Sequence, residues 1–390
     1  MPDCVLSTQN RFYVDLESAF GQVPTIGPSD RIAAVALNIE QRTEVRRRRD
    51  KTGSRTFTGV APGSRKRTSF DVTTYLTEND TPSAPPAVGR FVEASLGAPP
   101  VIFSGGTAGV GSSATSINFS SAHGLALGQA FCFSGEIRFV ESIVDTTTVT
   151  VSAPFSVAPL SGEAFTAAVS YFPATDLPSV SVFDYWDPAS AVQRILIGAA
   201  CNDMAVRVNG DYHELEFSGE AQDVIDSVSF AGGEGGLGSF PTEPAVSTEA
   251  FLPVPGNLGQ VWLGNPASKF LTLTSATLRL GNDLDFRVQE FGTRTPQCIA
   301  PGQRNVTADF ELFEADDAST RSLYAAARAE STIQVMFQLG EVSGQKMGVY
   351  LPTVVPRLPQ FVDDDRILRW KFENSRAQGL INDEIVVAFA

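Results

Sequence analysis

An internal duplication is the feature that most constrains the fold of this chain. The segment APGSR at 61–65 recurs as APGQR at 300–304, each time just before an alternating run of polar and apolar residues. The similarity continues in both directions and keeps the same order, with matching segments at 53–56 and 292–295, at 21–28 and 259–266, and at 218–230 and 374–386. Because matches in one order are the mark of a repeated unit, the sequence predicts two copies of one domain.

Strand patterns dominate both copies. Short runs that alternate, or that are rich in β-branched and aromatic residues, predict strands at 70–76, 214–219, 271–280, 331–339 and 367–373. Since successive side chains of a strand point to opposite faces, the last run places Leu368, Trp370 and Phe372 on one face and Arg369, Lys371 and Glu373 on the other.

Two segments at equivalent places in the copies predict short helices. The first is SAPPAVGRFVEASLG, with Ser83 as a candidate N-cap and Gly97 as the residue that ends the helix. The second is DDASTRSLYAAARAES, which is rich in Ala and has Asp317 or Ser319 as its candidate cap.

These patterns predict a mainly β protein with two tandem β-sandwich or half-barrel domains, each with one short α-helix. The first copy is longer because it contains an insertion rich in Gly, Ser and Thr turns, which predicts a small β-barrel or sandwich inserted in a loop. The predicted boundaries are an N-terminal arm at 1–18, a first domain at 19–97 and 179–230, the inserted module at 98–178, a Gly- and Pro-rich linker at 231–256 and a second domain at 257–390.

Composition and motif spacing argue against several classes of function. The chain has only two His, which argues against most zinc sites and most Ser-His triads. Its four Cys are scattered, so reduced thiols are expected. The GxGxxG match at 233–238 is followed by Pro241 and Pro244, which oppose the helix that a dinucleotide site needs. We therefore expect no enzyme activity, no cofactor and no metal. No segment has the pattern of a membrane span or a signal peptide.

The charges are unevenly distributed. The net charge of −15 argues against a surface that wraps nucleic acid tightly. Against this background stands a basic run of Arg46, Arg47, Arg48 and Arg49 with Lys51 and Arg55 close behind. A loop that contacts another protein copy is the favoured interpretation, ahead of a nucleic-acid contact or a solvated loop. The acidic run Asp363, Asp364 and Asp365 predicts a solvated turn or a protein contact ahead of a cation site.

The order of these elements resembles the tail tube, or major tail, proteins of long-tailed bacteriophages. The helix segment SAPPAVGRFVEASLG and the closing region at 344–379 are similar to those of the family, as is the long charged hairpin loop in each copy. The likeness extends over about two thirds of the chain. The inserted module resembles small β-modules of phage structural proteins.

The resemblance implies an architecture and a set of partners. Tube subunits form rings of six tube domains whose sheets join into one β-barrel around a channel, so two domains per chain imply a homotrimer that forms a pseudo-hexameric ring. Stacked rings would conduct double-stranded DNA during ejection, with non-specific passage and no membrane contact. The basic loop would reach the adjacent ring, and the acidic run would contact a neighbouring subunit. The expected location is the virion tail, assembled in the host cytoplasm, with tape measure, terminator and distal tail proteins as partners.

Two alternatives stay open. A distal-tail, baseplate or tail-terminator protein would share the fold but form a single ring. A carbohydrate-binding β-protein of the virion would need an exposed aromatic platform, for which FDYWDPAS at 183–190 is the candidate.

Overall fold

The computed structural model describes residues 4–44, 49–51, 53–57, 59, 63–79, 81–246, 251–363 and 366–390. The fold is mainly β, as the sequence predicts, with two α-helices among the described residues, α1 at Gly89–Leu96 and α2 at Ala318–Arg328. Short 3₁₀ turns lie at Ser7–Gln9, Pro28–Asp30 and Glu234–Gly236.

The strands form three groups along the chain. The first group flanks α1 and an insertion, and comprises β1 Asn10–Leu16, β2 Arg31–Ile32, β3 Ala34–Thr43, β4 Lys66–Tyr75, β13 Val180–Trp186, β14 Arg194–Val208, β15 Glu214–Ala221 and β16 Asp223–Asp226. The insertion contains β5 Val101–Phe103, β6 Gly106–Thr107, β7 Ser116–Asn118, β8 Ala130–Phe133, β9 Glu136–Ile143, β10 Thr148–Val151, β11 Ala164–Phe165 and β12 Ala168–Tyr171. The last group flanks α2 and comprises β17 Gly259–Gly264, β18 Ala267–Phe270, β19 Leu273–Gly281, β20 Asp285–Phe286, β21 Ile299–Ala300, β22 Asn305–Phe313, β23 Ile333–Leu339, β24 Met347–Val355, β25 Gln360–Val362, β26 Arg369–Ala377 and β27 Val386–Phe389.

One pattern of antiparallel pairing occurs twice. In the first group, which we call the first repeat, β1 pairs with β2 and β13, β14 pairs with β13, β15 and β16, and β4 pairs with β3 and β15. In the last group, the second repeat, β17 pairs with β18 and β23, β24 pairs with β23, β26 and β27, and β22 pairs with β19 and β26. Ala61 lies outside the described residues, while its sequence counterpart Ala300 ends β21.

In each repeat, one face of a three-stranded layer is buried. The layer is β3-β4-β15 in the first repeat and β19-β22-β26 in the second. Phe91 of α1 stacks on Phe217 of β15, with ring centroids 4.9 Å apart. In the second repeat, Phe310 of β22 stacks on Phe372 of β26 at 4.6 Å, and all four rings are buried. Trp370 and Phe372 lie on the buried face of β26, as the alternation predicts. One hydrophobic cluster runs through both repeats.

The helix predictions differ in outcome at their first residues. Asp317 caps α2, because its carboxylate accepts a hydrogen bond from the Thr320 backbone N–H at 2.7 Å. Ser83 does not cap α1, which begins six residues later at Gly89, since Pro85 and Pro86 hold the chain in turns before it. Gly97 ends α1 with a φ of 110°, a conformation that glycine adopts without strain.

The insertion packs on the second repeat. Strand β12 pairs with β27, so the insertion adds β12 and then β5 to a sheet of the second repeat. The Arg138 guanidinium is fully buried between the rings of Phe155 and Trp262, each about 5.2 Å away, and forms an ion pair with Glu136 at 3.0 Å. Burial lowers the pKa of Arg138, and Glu136 opposes that change. Although burial alone would raise the pKa of Glu136, Arg138 and hydrogen bonds from Ser156 lower it. Arg138 therefore contacts the second repeat through the Trp262 ring, while Glu136 balances its charge within the insertion.

The segment between the repeats lies along the first repeat. Leu237 and Phe240 pack against a buried cluster that includes Phe183 and Tyr185 of β13. Glu243 forms an ion pair with Arg11 of β1 and accepts a hydrogen bond from the Tyr13 hydroxyl at 3.0 Å. Phe183 and Tyr185 are buried, so Trp186, which is half-buried, is the one ring of the suggested carbohydrate platform with exposed surface.

Candidate functional site

The two repeats are joined edge to edge through β14 and β19. The end of β14 pairs antiparallel with β19, from Asp203 opposite Gly281 to Val208 opposite Ala276. This pairing, which we call the internal joint, places eight strands side by side in the order β3, β4, β15, β14, β19, β22, β26 and β25. The joint thus converts the layers of two repeats into one continuous surface.

A buried side chain closes the internal joint at one end. Asn282 directly follows β19, and its amide nitrogen donates to the backbone oxygens of Ser95 and Cys201 at 2.9 and 3.0 Å. The Asn282 backbone N–H donates to the Asn202 oxygen at 2.8 Å. Asn282 is 2% exposed, and its amide gives a buried donor to one carbonyl group near the end of α1 and to one at a bulge in β14.

The outward face of the eight strands is a layer of charged and hydroxyl side chains. The basic groups on this face mostly form ion pairs with carboxylates of the same or adjacent strands: Arg42–Glu40, Arg67–Glu220, Arg207–Glu216, Arg279–Asp309, Arg369–Glu311 and Lys371–Glu373. Asp71, Asp203 and Glu214 lie on the same face and make no ion pair within the described part of the chain. The face is therefore close to neutral, with carboxylates in excess.

Two strand edges remain open at the ends of this surface. Among the described residues, β3 pairs only with β4, and β25 pairs only with β26. Each open edge is the counterpart of a strand in the internal joint. Strand β3 corresponds to β19, since both pair with the strand before the helix and both carry a bulge at the same place, after Ala34 and after Leu273. Strands β24 and β25 together correspond to β14. Strand β14 pairs with β15, and β24 and β25 pair with β26, and β15 and β26 each end at the Ala of the repeated Ala-Gln sequence.

Exposure differs between the open edges and the internal joint. Val206 of β14, which faces Leu278 of β19, is 1% exposed. Its counterpart in the second repeat is Phe361 of β25, which is 57% exposed although it packs beside Tyr324 and Trp370. Ile39, the counterpart of Leu278, is only half-buried. The open edges therefore lack the neighbour that buries their counterparts.

The predicted contact residues lie at opposite ends of this surface. Arg49, Lys51 and Arg55 are exposed in the connection between β3 and β4, and Arg46, Arg47 and Arg48 lie outside the described residues. Asp363 is exposed just after β25, at the other end of the strands, and Asp364 and Asp365 lie outside the described residues. The structure thus does not bring the basic loop and Asp363 together within one chain.

The connections of the two repeats lie side by side. The Lys66 backbone N–H donates to the Arg294 oxygen at 2.8 Å, and the Arg65 guanidinium donates to the Glu290 oxygen at 3.3 Å. Lys66 also forms an ion pair with Asp223 at 3.3 Å. Both long loops therefore project from the same end of the strands.

Both histidines are tied to the backbone. His213 is buried, its Nε2 lies 2.8 Å from the Leu258 oxygen, and burial lowers its pKa. The His123 Nδ1 accepts a hydrogen bond from the Leu125 N–H at 2.9 Å. Over the part of the chain that the structure describes, His, Cys, Asp and Glu form no group that could hold a metal ion, and no helix is long and apolar enough to span a membrane.

Comparison with known proteins does not assign a family. No family model matches the chain, and no curated protein matches its sequence. The candidate functional site is therefore defined by the chain itself, as the outward face, its two open edges and the adjacent loops.

The internal joint should depend on Asn282. Replacing Asn282 with Ala leaves the Ser95 and Cys201 oxygens buried without that donor, so we expect the free energy of unfolding to fall by about 1–3 kcal/mol. Chemical denaturation of the monomer measures the change. Asn305→Ala, at an exposed position that begins β22, is the matched control and should change stability by no more than about 0.5 kcal/mol. Equal effects of the two substitutions would contradict the role of Asn282.

Proposed function

We propose that this protein is a structural subunit that assembles edge to edge into rings, and that the rings stack into the tail tube of a bacteriophage. The observation that carries the proposal is the internal joint together with its two open counterparts. Within the chain, the edge of β14 pairs with the edge of β19. The corresponding edges, β25 and β3, are open at the two ends of the same surface. A head-to-tail contact that uses the same geometry can repeat from copy to copy until a ring closes.

The internal joint specifies a register for the contact between copies. Transferring its pairing to the counterpart strands aligns β25 of one copy antiparallel to β3 of the next, with Leu358 opposite Arg42, Gln360 opposite Glu40, Phe361 opposite Ile39, Val362 opposite Asn38 and Asp363 opposite Leu37. In this register Phe361 and Ile39 occupy the positions of Val206 and Leu278, so the exposed ring becomes buried. Closure of the sheet also removes both of its edges.

The outward face would line the channel of such a ring, since the helices and second layers pack behind the opposite face. DNA binds tightly where unpaired Lys and Arg replace the counterions of its phosphates. Because most basic groups of this face already form ion pairs with carboxylates, they offer phosphates little net attraction. Such a wall suits the passage of DNA better than its retention.

The ends of the strands suit stacking. The basic loop and its second-repeat neighbour project from one end, and Asp363 lies at the other. When rings stack in one orientation, the end with Arg49, Lys51 and Arg55 of one ring faces the end with Asp363 of the next. Opposite charges at the two ends favour a stack whose rings all point the same way.

A ring of three chains is the expected product of assembly. With two repeats per chain, six repeats complete the ring implied by the tail tube resemblance, and each chain contributes 41.6 kDa. Native mass spectrometry and negative-stain images of the concentrated protein measure chain number and form. Stacks of three-chain rings support a tube subunit, whereas isolated rings support a distal-tail, baseplate or terminator protein. A ring of six full-length chains, or a protein that stays monomeric at every concentration, would contradict the proposal.

The basic loop should act in stacking and not in ring closure. Replacing Arg46, Arg47, Arg48 and Arg49 with Ser removes ion pairs between rings, each contributing about 0.2–1 kcal/mol, so we expect intact rings that form shorter tubes. Salt should shorten wild-type tubes in the same way, because these contacts are exposed. Tube length is measured by electron microscopy, with Arg321→Ser, on the exposed face of α2, as a control. Variant tubes of normal length and normal salt dependence would contradict this role.

A further inference from the structure

The second repeat contains an open cavity where the first repeat has Asn282. The cavity, of about 880 Å³, lies between the end of α2, the break between β24 and β25, and the edges of β22 and β26. We call it the β25 cavity. Its charged lining comprises three arginines and one carboxylate, Arg328, Arg357, Arg376 and Glu330, and Ala327 and Pro356 lie beside them.

The equivalent place in the first repeat is filled. Ser95 near the end of α1 corresponds to Ala327, and Cys201 at a bulge of β14 corresponds to Pro356. The Asn282 amide bridges the Ser95 and Cys201 oxygens. Asn282 reaches that place because it directly follows β19, the strand that joins β14. In the second repeat, β25 has no neighbour among the described residues that corresponds to β19, so no residue fills the equivalent place and the cavity stays open.

The residue that would fill the β25 cavity is on β3. Since β3 corresponds to β19, Thr43 corresponds to Asn282 and Glu44 to Asp283. The Glu44 backbone N–H donates to the Arg65 oxygen at 2.8 Å, so the pairing of β3 with its neighbour continues to Glu44. Both side chains are exposed. Thr43 and Glu44 therefore lie at the open edge of β3, at the positions that Asn282 and Asp283 occupy after β19.

The Glu44 carboxylate has the opposite charge to the arginines that line the cavity. Arg328, Arg357 and Arg376 are exposed and make no ion pair within the ranges that the structure describes. In the first repeat, the corresponding positions hold Leu96, Asn202 and Glu220. The basic character is thus specific to the cavity that stays open, where the single carboxylate of this strand end, Glu44, would arrive.

We propose that the β25 cavity receives Thr43 and Glu44 of a second copy of this chain, and that Glu44 forms ion pairs there with Arg376 and its neighbouring arginines. This inference rests on the proposed ring and identifies the contact that closes it. The Thr43 hydroxyl takes the place of the Asn282 amide as a donor, and the Glu44 carboxylate reduces the net positive charge of the cavity. The joint between copies is therefore ionic, whereas the internal joint is closed by neutral hydrogen bonds.

A charge swap tests the contact. The variants are Glu44→Arg, Arg376→Glu and the two together in one chain, with Lys269→Glu, an exposed residue of β18 that lines a different cavity, as the control. Sedimentation velocity gives the concentration at which half of the chains are in rings. In about 50 mM salt we expect each single variant to raise this concentration at least about tenfold, because like charges then meet in the cavity. The double variant should return to within about threefold of the wild type, since its charges are again opposite.

The outcomes separate the contact from the ring itself. If the wild type forms rings and both single variants assemble as the wild type does, the cavity contact is overturned, but the proposed ring is not. A double variant that assembles worse than either single variant would overturn it as well, because the two residues would then not meet. Wild-type protein that remains monomeric at about 1 mM, a concentration at which even weak contacts form, would overturn both the ring and the contact.

Discussion

The structure depends on how the chain treats the edges of its sheets. An unpaired strand edge exposes a row of N–H and C=O groups that pair readily with another strand. The chain satisfies one such edge internally by pairing β14 with β19, and leaves the corresponding edges of β3 and β25 open. Edge pairing within the chain and edge pairing between copies are therefore two uses of one geometry, and the duplication is what makes both available.

The two versions of the joint are not identical, and the difference lies in the strand that accepts the neighbour. Strand β14 is continuous for 15 residues apart from two bulges, whereas its counterpart is interrupted between β24 and β25. Pro356 and Pro359 fall in that interruption, and proline has no backbone N–H to donate. The interruption shortens the open edge to β25 and creates the cavity beside it. A short edge flanked by prolines and charges is less prone to unspecific pairing, so the same feature that protects the free chain gives the joint its specificity.

Sequence patterns predicted the parts of the fold that depend on local order. The strands, the cap at Asp317 and the buried face with Trp370 and Phe372 all follow from spacing that a single segment reveals. The start of α1 was missed because the prolines after Ser83 favour turns over a first helical turn. The docking of the insertion through Arg138, the internal joint and the β25 cavity depend on contacts between residues far apart in sequence. Nothing in the local pattern around Asn282 signals that its amide bridges Ser95 and Cys201.

Hydrogen–deuterium exchange, compared between the monomer and the assembled protein, tests the central claim that open edges pair as the internal joint does. The amides at 37–43 and 358–363 that point away from β4 and β26 should exchange rapidly in the monomer and become protected on assembly. Amides of Met204 to Val208 and of β19 should be protected in both states, because the internal joint is already formed. Assembled protein in which 37–43 and 358–363 exchange as fast as in the monomer would contradict the account.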